Sequence, residues 1–208
     1  SCVAGSRLII SNRIKDTFLK RLTEKADMIK IGRPDDMATE VGPLCTLKQS
    51  QHAETVINAS LKAGAELVTG GQPVPGDGYY FPPTILDCGK APSAPCLTTE
   101  FFAPVLSVLG FDTEEEALAL ANDTKFGLAS GVFTQNLTRA HRMINGIRAG
   151  VVWVNTYRAV SPIAPVGGHG LSGHGREAGA QAILDYTKIK TVWLRTSDDS
   201  IPDPFIMR

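Results

Sequence analysis

The chain has 208 residues, 43% of them hydrophobic and 20% charged, and its 21 Lys and Arg are balanced by 21 Asp and Glu. That length buries a sizeable core in one domain or in one large and one minimal unit, and the absence of net charge and of a basic cluster interleaved with aromatics excludes nucleic-acid binding. No apolar run is long enough to span a bilayer, no signal peptide is expected, and the four cysteines (Cys2, Cys45, Cys88, Cys96) are spaced for neither a zinc framework nor a disulfide scaffold, so a reduced, cytoplasmic protein without a metal site is expected.

The chain opens on a small-residue loop, Ser1 to Arg7, that runs into a short strand at Leu8 to Ile10. Asn12 to Ile29 has helical spacing, with Ile14, Phe18, Leu22 and Ala26 as its apolar stripe. A break at Gly32 to Asp36 precedes a second helix from about Lys48 to Ala63, closed by Gly64 where a left-handed cap is needed. A strand over Glu66 to Thr69, a Gly- and Pro-rich turn over 70 to 78 and a strand at Tyr79 to Phe81 follow, the last ended by Pro82 and Pro83.

Val105 to Phe111 reads as a strand, and the carboxylates of Asp112 to Glu116 announce a helix carrying Ala117, Leu118 and Ala121. Leu128 to Phe133 is a strand, Leu137 to Ile147 a helix, and Gly150 to Asn155 a strongly β-forming stretch. A long loop over 156 to 175 leads to a helix from about Arg176 to Leu184, a final strand over Thr187 to Arg195 and an extended arm over Ser197 to Arg208. Strands alternating with helices in this way predict an α/β fold with one parallel-rich sheet.

Cys2, flanked by small residues, is open to two readings: a reachable nucleophile once ionised, or a small packing residue. Glu100, followed by Phe101 and Phe102, reads either as a solvated glutamate at a strand entrance or as an acceptor for ligand hydroxyls with a ring beside it. Gly168 to Gly173 matches G-x-G-x-x-G but lacks the preceding strand, the helix and the later acid of a dinucleotide fingerprint, and reads as a tight glycine loop. His169 and His174 have no third ligand nearby, and the run around Ser172 lacks the last glycine of a hydrolase elbow.

Three stretches together carry more: Ser1 to Arg7, Glu100 to Pro104, and Pro165 to Gly168 continuing through Ser172 to Glu177. In order and spacing they resemble the catalytic portion of the aldehyde dehydrogenase superfamily, and Val152 to Asn155 and Tyr186 to Val192 extend the resemblance. It implies a three-layer αβα catalytic domain over residues 1–186 with a parallel-rich sheet, and an oligomerisation strand and tail over 187–208 that joins subunits into a homodimer or tetramer. It implies that Cys2 attacks an aldehyde substrate, that the thiohemiacetal gives up a hydride to NAD or NADP, and that water releases the acid from the thioester. Glu100 would hold the nicotinamide ribose, Phe102 would pack near the nicotinamide, and backbone around Cys2 would stabilise the oxyanion. Val3, Tyr157, Arg158 and Val166 would line the substrate pocket, with Arg158 favouring an aldehyde that carries a distal carboxylate.

The sequence departs from the family pattern at Ala103, usually Gly, at Val166, often Phe, and at His169-Gly170, often an aromatic-Lys pair. The smaller Val166 widens the expected tunnel. Family members carry their dinucleotide-binding domain, general-base glutamate and oxyanion asparagine before the nucleophile, so an inactive fragment is expected. A non-catalytic oligomerisation module of the same fold is the alternative.

Overall fold

Two apolar surfaces on one sheet organise the larger part of the molecule, a computed structural model that describes residues 1–201 and 203–206. The sheet contains β1 (Arg7–Ser11), β2 (Glu66–Thr69), β3 (Thr84–Asp87) and β4 (Val105–Phe111) in the order β1-β4-β3-β2. β1 and β3 flank β4 in parallel, and β2 pairs antiparallel at the edge. β4 takes the centre because its run of Val, Leu and Phe can be buried on both faces.

Alternation along the strands sends successive side chains to opposite faces. Ile85 and Val108 pack with Leu19 and Ala26 of α1 (Lys15–Asp27), whereas Leu86 and Leu109 pack with Ala53, Val56 and Ile57 of α2 (Leu47–Lys62). Helices therefore cover both faces of a mixed α/β, parallel-rich sheet. α2 is capped by the Thr46 hydroxyl, which accepts from Gln49 N at 3.2 Å, and ends at Gly64 with φ +100°.

α3 (Glu114–Asn122) leads to a second, two-stranded parallel sheet of β5 (Ala129–Val132) and β6 (Val151–Val154), joined by the crossover helix α4 (Leu137–Gly146). α3 is the junction. The Arg7 guanidinium, at the start of β1, donates to the carbonyls of Leu120 at 2.9 Å and Ala121 at 2.8 Å in the last turn of α3. On the other side Asn122 Nδ2 donates to Gly146 O at 2.9 Å and Asn122 Oδ1 accepts from Arg148 N at 2.8 Å. Glu114, at the first turn of α3, accepts from Arg142 at 2.7 Å and Arg139 at 3.2 Å of α4.

β2 and β4 have the expected bounds, and several other expectations are corrected. The single expected sheet is two. The helix expected over 176–184 is reduced to α5 (Ala182–Asp185), because Ala178 and Gly179 take φ of +60° and +64° and Glu177 is engaged in a bridge with Val166. Thr187 to Arg195 forms no strand: a ladder needs a partner edge, and none of the described strands offers one here.

Tyr79 to Phe81 is not a strand either. The carbonyls of Tyr79 and Tyr80 accept from Leu44 N at 2.8 Å and Val74 N at 2.9 Å, and pairing begins at Thr84, past two prolines that lack an N–H. On α1 the inward face is Leu19, Leu22, Thr23 and Ala26, while Ile14 and Phe18 are exposed, since steps of four residues drift around the helix and the 19-22-23-26 set does not. In the expected arm Asp203 to Ile206 form a turn, with Ile206 N donating to Asp203 O at 3.2 Å, and Pro202, Met207 and Arg208 lie outside the described residues. No described helix is long and apolar enough to cross a membrane.

Burial pushes the Arg7 guanidinium below its ordinary value, with Asp123 opposing, yet it stays charged against the carbonyl end of α3. Arg7→Ala is expected to destabilise the fold by about 2 kcal/mol, the scale of a hydrogen-bonded charged group. Urea unfolding checks this, and an unchanged midpoint would deny that Arg7 ties the two sheets.

Candidate active site

The loop before β1 turns tightly at its start, with Ala4 N donating to Ser1 O at 3.0 Å, and leaves the Cys2 thiol exposed while Val3 is half-buried. Among the described residues nothing hydrogen-bonds to that thiol, and the N–H groups of Cys2 and Val3 donate to no acceptor. The loop is anchored where Ser6 O accepts from Ser107 N at 3.0 Å, and from there Arg7 faces Ser107 and the parallel pairing runs to Ser11 and Phe111. The loop of Cys2 and the segment of Glu100 and Phe102 therefore leave the same end of two adjacent strands, which lie about 4.8 Å apart where pairing starts.

The Glu100 segment follows a one-turn 3-10 helix, Pro95–Leu97. Phe101 is buried and pins it to the core, whereas Glu100 and Phe102 are exposed. Phe102 takes φ +51°, an uncommon conformation for a bulky residue, and its carbonyl accepts from Gln49 Nε2. Glu100 O accepts from His52 Nε2 at 3.1 Å, and Gln49 Oε1 accepts from Cys45 N at 3.2 Å. α2 thus holds the segment by its backbone. The Glu100 carboxylate makes no hydrogen bond or ion pair among the described residues, and the Phe102 ring beside it is exposed.

Tyr157, three residues beyond β6, connects that sheet to the Cys2 loop. Its ring lies 4.9 Å from that of Trp153, tilted by 58°, and Trp153 Nε1 donates to Ala159 O at 2.7 Å. A Cβ on Gly5 would sit 3.6 Å from Tyr157 Oη, and one on Gly131 of β5 would come within 2.6 Å of the ring, so only glycine at 131 admits the tyrosine. Burial pushes the Tyr157 phenol up from its ordinary value, against the charge of Arg158. Arg158 is exposed, with φ +62°.

Val166 is half-buried and exchanges two 2.7 Å backbone hydrogen bonds with Glu177. The next residue, Gly167, packs its carbonyl where a Cβ on Gly150 would stand, at the start of β6. Tyr157 lies past the other end of that strand, which is about 13 Å long for four residues, so the structure joins Tyr157 but not Val166 to the Cys2 loop. Gly168 to Gly173 is a tight loop without a helix, stitched to Gly127 by Ser172 Oγ at 3.1 Å and to Arg176, which donates to Gly168 O at 2.9 Å.

Sequence reasoning missed Arg7, Gln49, His52 and Gly131. Gly131, a glycine inside a β-forming run, is a legible sign of close approach; the roles of Gln49 and His52 depend on α2 meeting a segment far along the chain and left no signal. Two open surface hollows, one at Leu120, Asp123 and Arg148 and one at Ile31, Val74 and Tyr80, contain none of the candidate side chains. Among the described residues no cluster of three or more His, Cys, Asp or Glu could hold a metal.

Comparison with known proteins gives the family of the chain. The aldehyde dehydrogenase family matches residues 1–192. A (Z)-2-((N-methylformamido)methylene)-5-hydroxybutyrolactone dehydrogenase of Acinetobacter baylyi is 62% identical over 208 residues, covering 100% of this chain and 43% of its own length. A betaine aldehyde dehydrogenase of Cereibacter sphaeroides is 43% identical over 194 residues, 93% of this chain and 40% of the relative. The NAD+ complex of an aldehyde dehydrogenase from Bacillus cereus superposes with a TM-score of 0.90 at 36% identity, over 95% of this chain and 40% of that one. The chain thus spans about two fifths of the length of the curated relatives it matches.

Proposed function

The chain belongs to the aldehyde dehydrogenase family, and from that premise we propose that it is the thiol-bearing part of an enzyme that oxidises an aldehyde to a carboxylic acid with NAD or NADP. One observation carries the reading: the parallel register of β1 and β4 brings the exposed Cys2 thiol and the Glu100 to Phe102 segment to one end of the sheet. In this reading residues 1–186 form the catalytic unit and 187–208 an oligomerisation arm.

Cys2 Sγ attacks the aldehyde carbon, forming a C–S bond and leaving negative charge on the former carbonyl oxygen. The unpaired N–H groups of Cys2 and Val3 are the chain's own donors for that oxyanion. Glu100 accepts hydrogen bonds from the ribose of the coenzyme and Phe102 packs beside its ring. The nicotinamide, when bound, supplies the acceptor for the hydride that leaves the adduct. Water then cleaves the Cys2 thioester, releasing the acid and returning the thiolate.

Val3, Tyr157 and Arg158 line the substrate side, with Val166 on a more distant wall. A 5-hydroxybutyrolactone, the group in the name of the Acinetobacter relative, is the ring-closed form of an aldehyde that carries a carboxylate. The exposed Arg158, which makes no ion pair among the described residues, supports a substrate of the same class here. An arginine beside Tyr157 repels a cationic substrate.

A second reading concerns assembly. Tyr186, Ile189, Val192, Trp193 and Leu194 are all largely exposed, Trp193 at 93%, in a segment without a partner edge. Exposed apolar side chains of this kind suit pairing with a second copy of the chain.

In the full polypeptide, Cys2→Ser is expected to lower aldehyde-dependent NADH formation by at least about 10³-fold, while the 208 residues assayed by themselves yield none. Serine-variant turnover close to that of the parent would refute Cys2 as the nucleophile, and turnover by the 208 residues by themselves would refute the inactive fragment. Arg158→Ala should lower kcat/KM for an acidic aldehyde about tenfold, or about 1.4 kcal/mol, and leave a neutral aldehyde unaffected; an unchanged preference sinks the substrate class. Deleting residues 187–208 should reduce the mass measured by light scattering, and an unaltered oligomer would rule out the arm.

A further inference from the structure

Two cysteines that the proposed reaction does not use face each other inside the core. Cys88, directly after β3, and Cys96, in the one-turn helix, have their sulfurs 3.3 Å apart and are 0% and 3% exposed. Each is held by different elements. Cys88 N donates to Val108 O at 2.9 Å on β4, whereas Cys96 N donates to Ser60 Oγ at 3.0 Å on α2 and Cys96 O accepts from Ser107 Oγ at 3.1 Å on β4. The backbone is thus fixed on both sides of a thiol–thiol contact, and the sulfurs need approach by only about 1.3 Å to reach a bonding distance of about 2.05 Å.

The turn between them runs over the surface, with Gly89, Lys90, Pro92 and Ser93 exposed. Local opening of this turn gives a small solute access without unfolding the sheet. The pair is also chemically unequal. Hydrogen bonding to Cys96, burial and the Asp87 carboxylate push the Cys88 thiol up, whereas the contact with Cys88 holds the Cys96 thiol below its ordinary value. Cys96 is therefore the sulfur that ionises and attacks, and Cys88 the one that resolves.

We propose that Cys88 and Cys96 are a peroxide-sensitive dithiol that closes into an intramolecular disulfide. The Cys96 thiolate attacks one oxygen of hydrogen peroxide, the O–O bond breaks, and the departing hydroxide takes up a proton as water, leaving a sulfenic acid. Cys88 Sγ then attacks the Cys96 sulfur, its proton leaves with the displaced oxygen as a second water, and the S–S bond forms. Both sulfurs together lose two electrons, and the peroxide takes them. Closure ties the Pro95–Leu97 turn to the end of β3, four residues ahead of Glu100, and stiffens the root of that segment. The inference stands whether or not Glu100 binds a coenzyme.

The test is peptide mapping of the native full-length polypeptide carrying Cys2→Ser, which removes the exposed nucleophile, after exposure to hydrogen peroxide and digestion without reductant. Expected are peptides cross-linked through Cys88 and Cys96, loss of alkylation at both in equal measure, and recovery with dithiothreitol. In a Cys88→Ala variant Cys96 should stop at the sulfenic or sulfinic acid. The proposal is overturned if both thiols remain fully alkylated while the exposed Cys45 oxidises, or if Cys96 links to Cys45 instead. The mapping of the protein with both thiols intact decides the matter even if the alanine variant does not fold.

Discussion

The guanidinium of Arg7 against the last turn of α3 is the contact on which the geometry of the site depends. A helix end leaves carbonyls without intrahelical donors and concentrates negative partial charge there. Arg7 answers both needs at Leu120 and Ala121. Because it is also the first residue of β1, the same contact fixes where the loop of Cys2 ends and the strand begins. Asn122 and Arg148 fasten the far side of α3 to the second sheet, so α3 transmits the position of β6, and with it Tyr157, to the loop that Tyr157 touches at Gly5.

Once that frame is set, strand order does the rest. Parallel neighbours deliver their preceding loops to one end of a sheet, and the candidate groups come from those loops while the strands hold them. The backbone bears strain there. Phe102, Asn155 and Arg158 take φ of +51°, +52° and +62°, three of the four left-handed non-glycine residues in the described chain. Each has a cost of the order of 1–3 kcal/mol, and for two the compensation is visible: Gln49 and His52 grip the carbonyls at Phe102 and Glu100, and the Asn155 side chain exchanges two 2.9 Å hydrogen bonds with the backbone of Thr134.

What could be read from the sequence follows from how local each cause is. β4 was legible because Pro104 precedes its apolar run and the acidic helix start at Asp112 follows it, β2 because Gly70 closes it, and the end of α2 because Gly64 marks it. The helix expected over 176–184 was not, since its composition suits a helix and only the left-handed turn at Ala178 and Gly179, set by the bridge to Val166, forbids one. The expected last strand failed for a different reason: β structure is a property of two strands, and residues 187–195 pair with none of the described ones. The candidate groups Cys2, Glu100 and Phe102 were chosen from the sequence as residue types in a familiar order. The register that unites them, and the α2 side chains that hold them, arise only from tertiary pairing.

The four cysteines show how environment, more than identity, assigns chemistry. Cys88 and Cys96 are buried and spend their reactivity on each other. Cys45 is exposed, and its backbone is part of the Gln49 bridge that supports Phe102. Cys2 has an accessible thiol, and Tyr157 comes close to its loop at Gly5. What sets Cys2 apart from the other three is its place: an exposed thiol on the loop that enters β1, at the end of the sheet where the Glu100 segment enters β4.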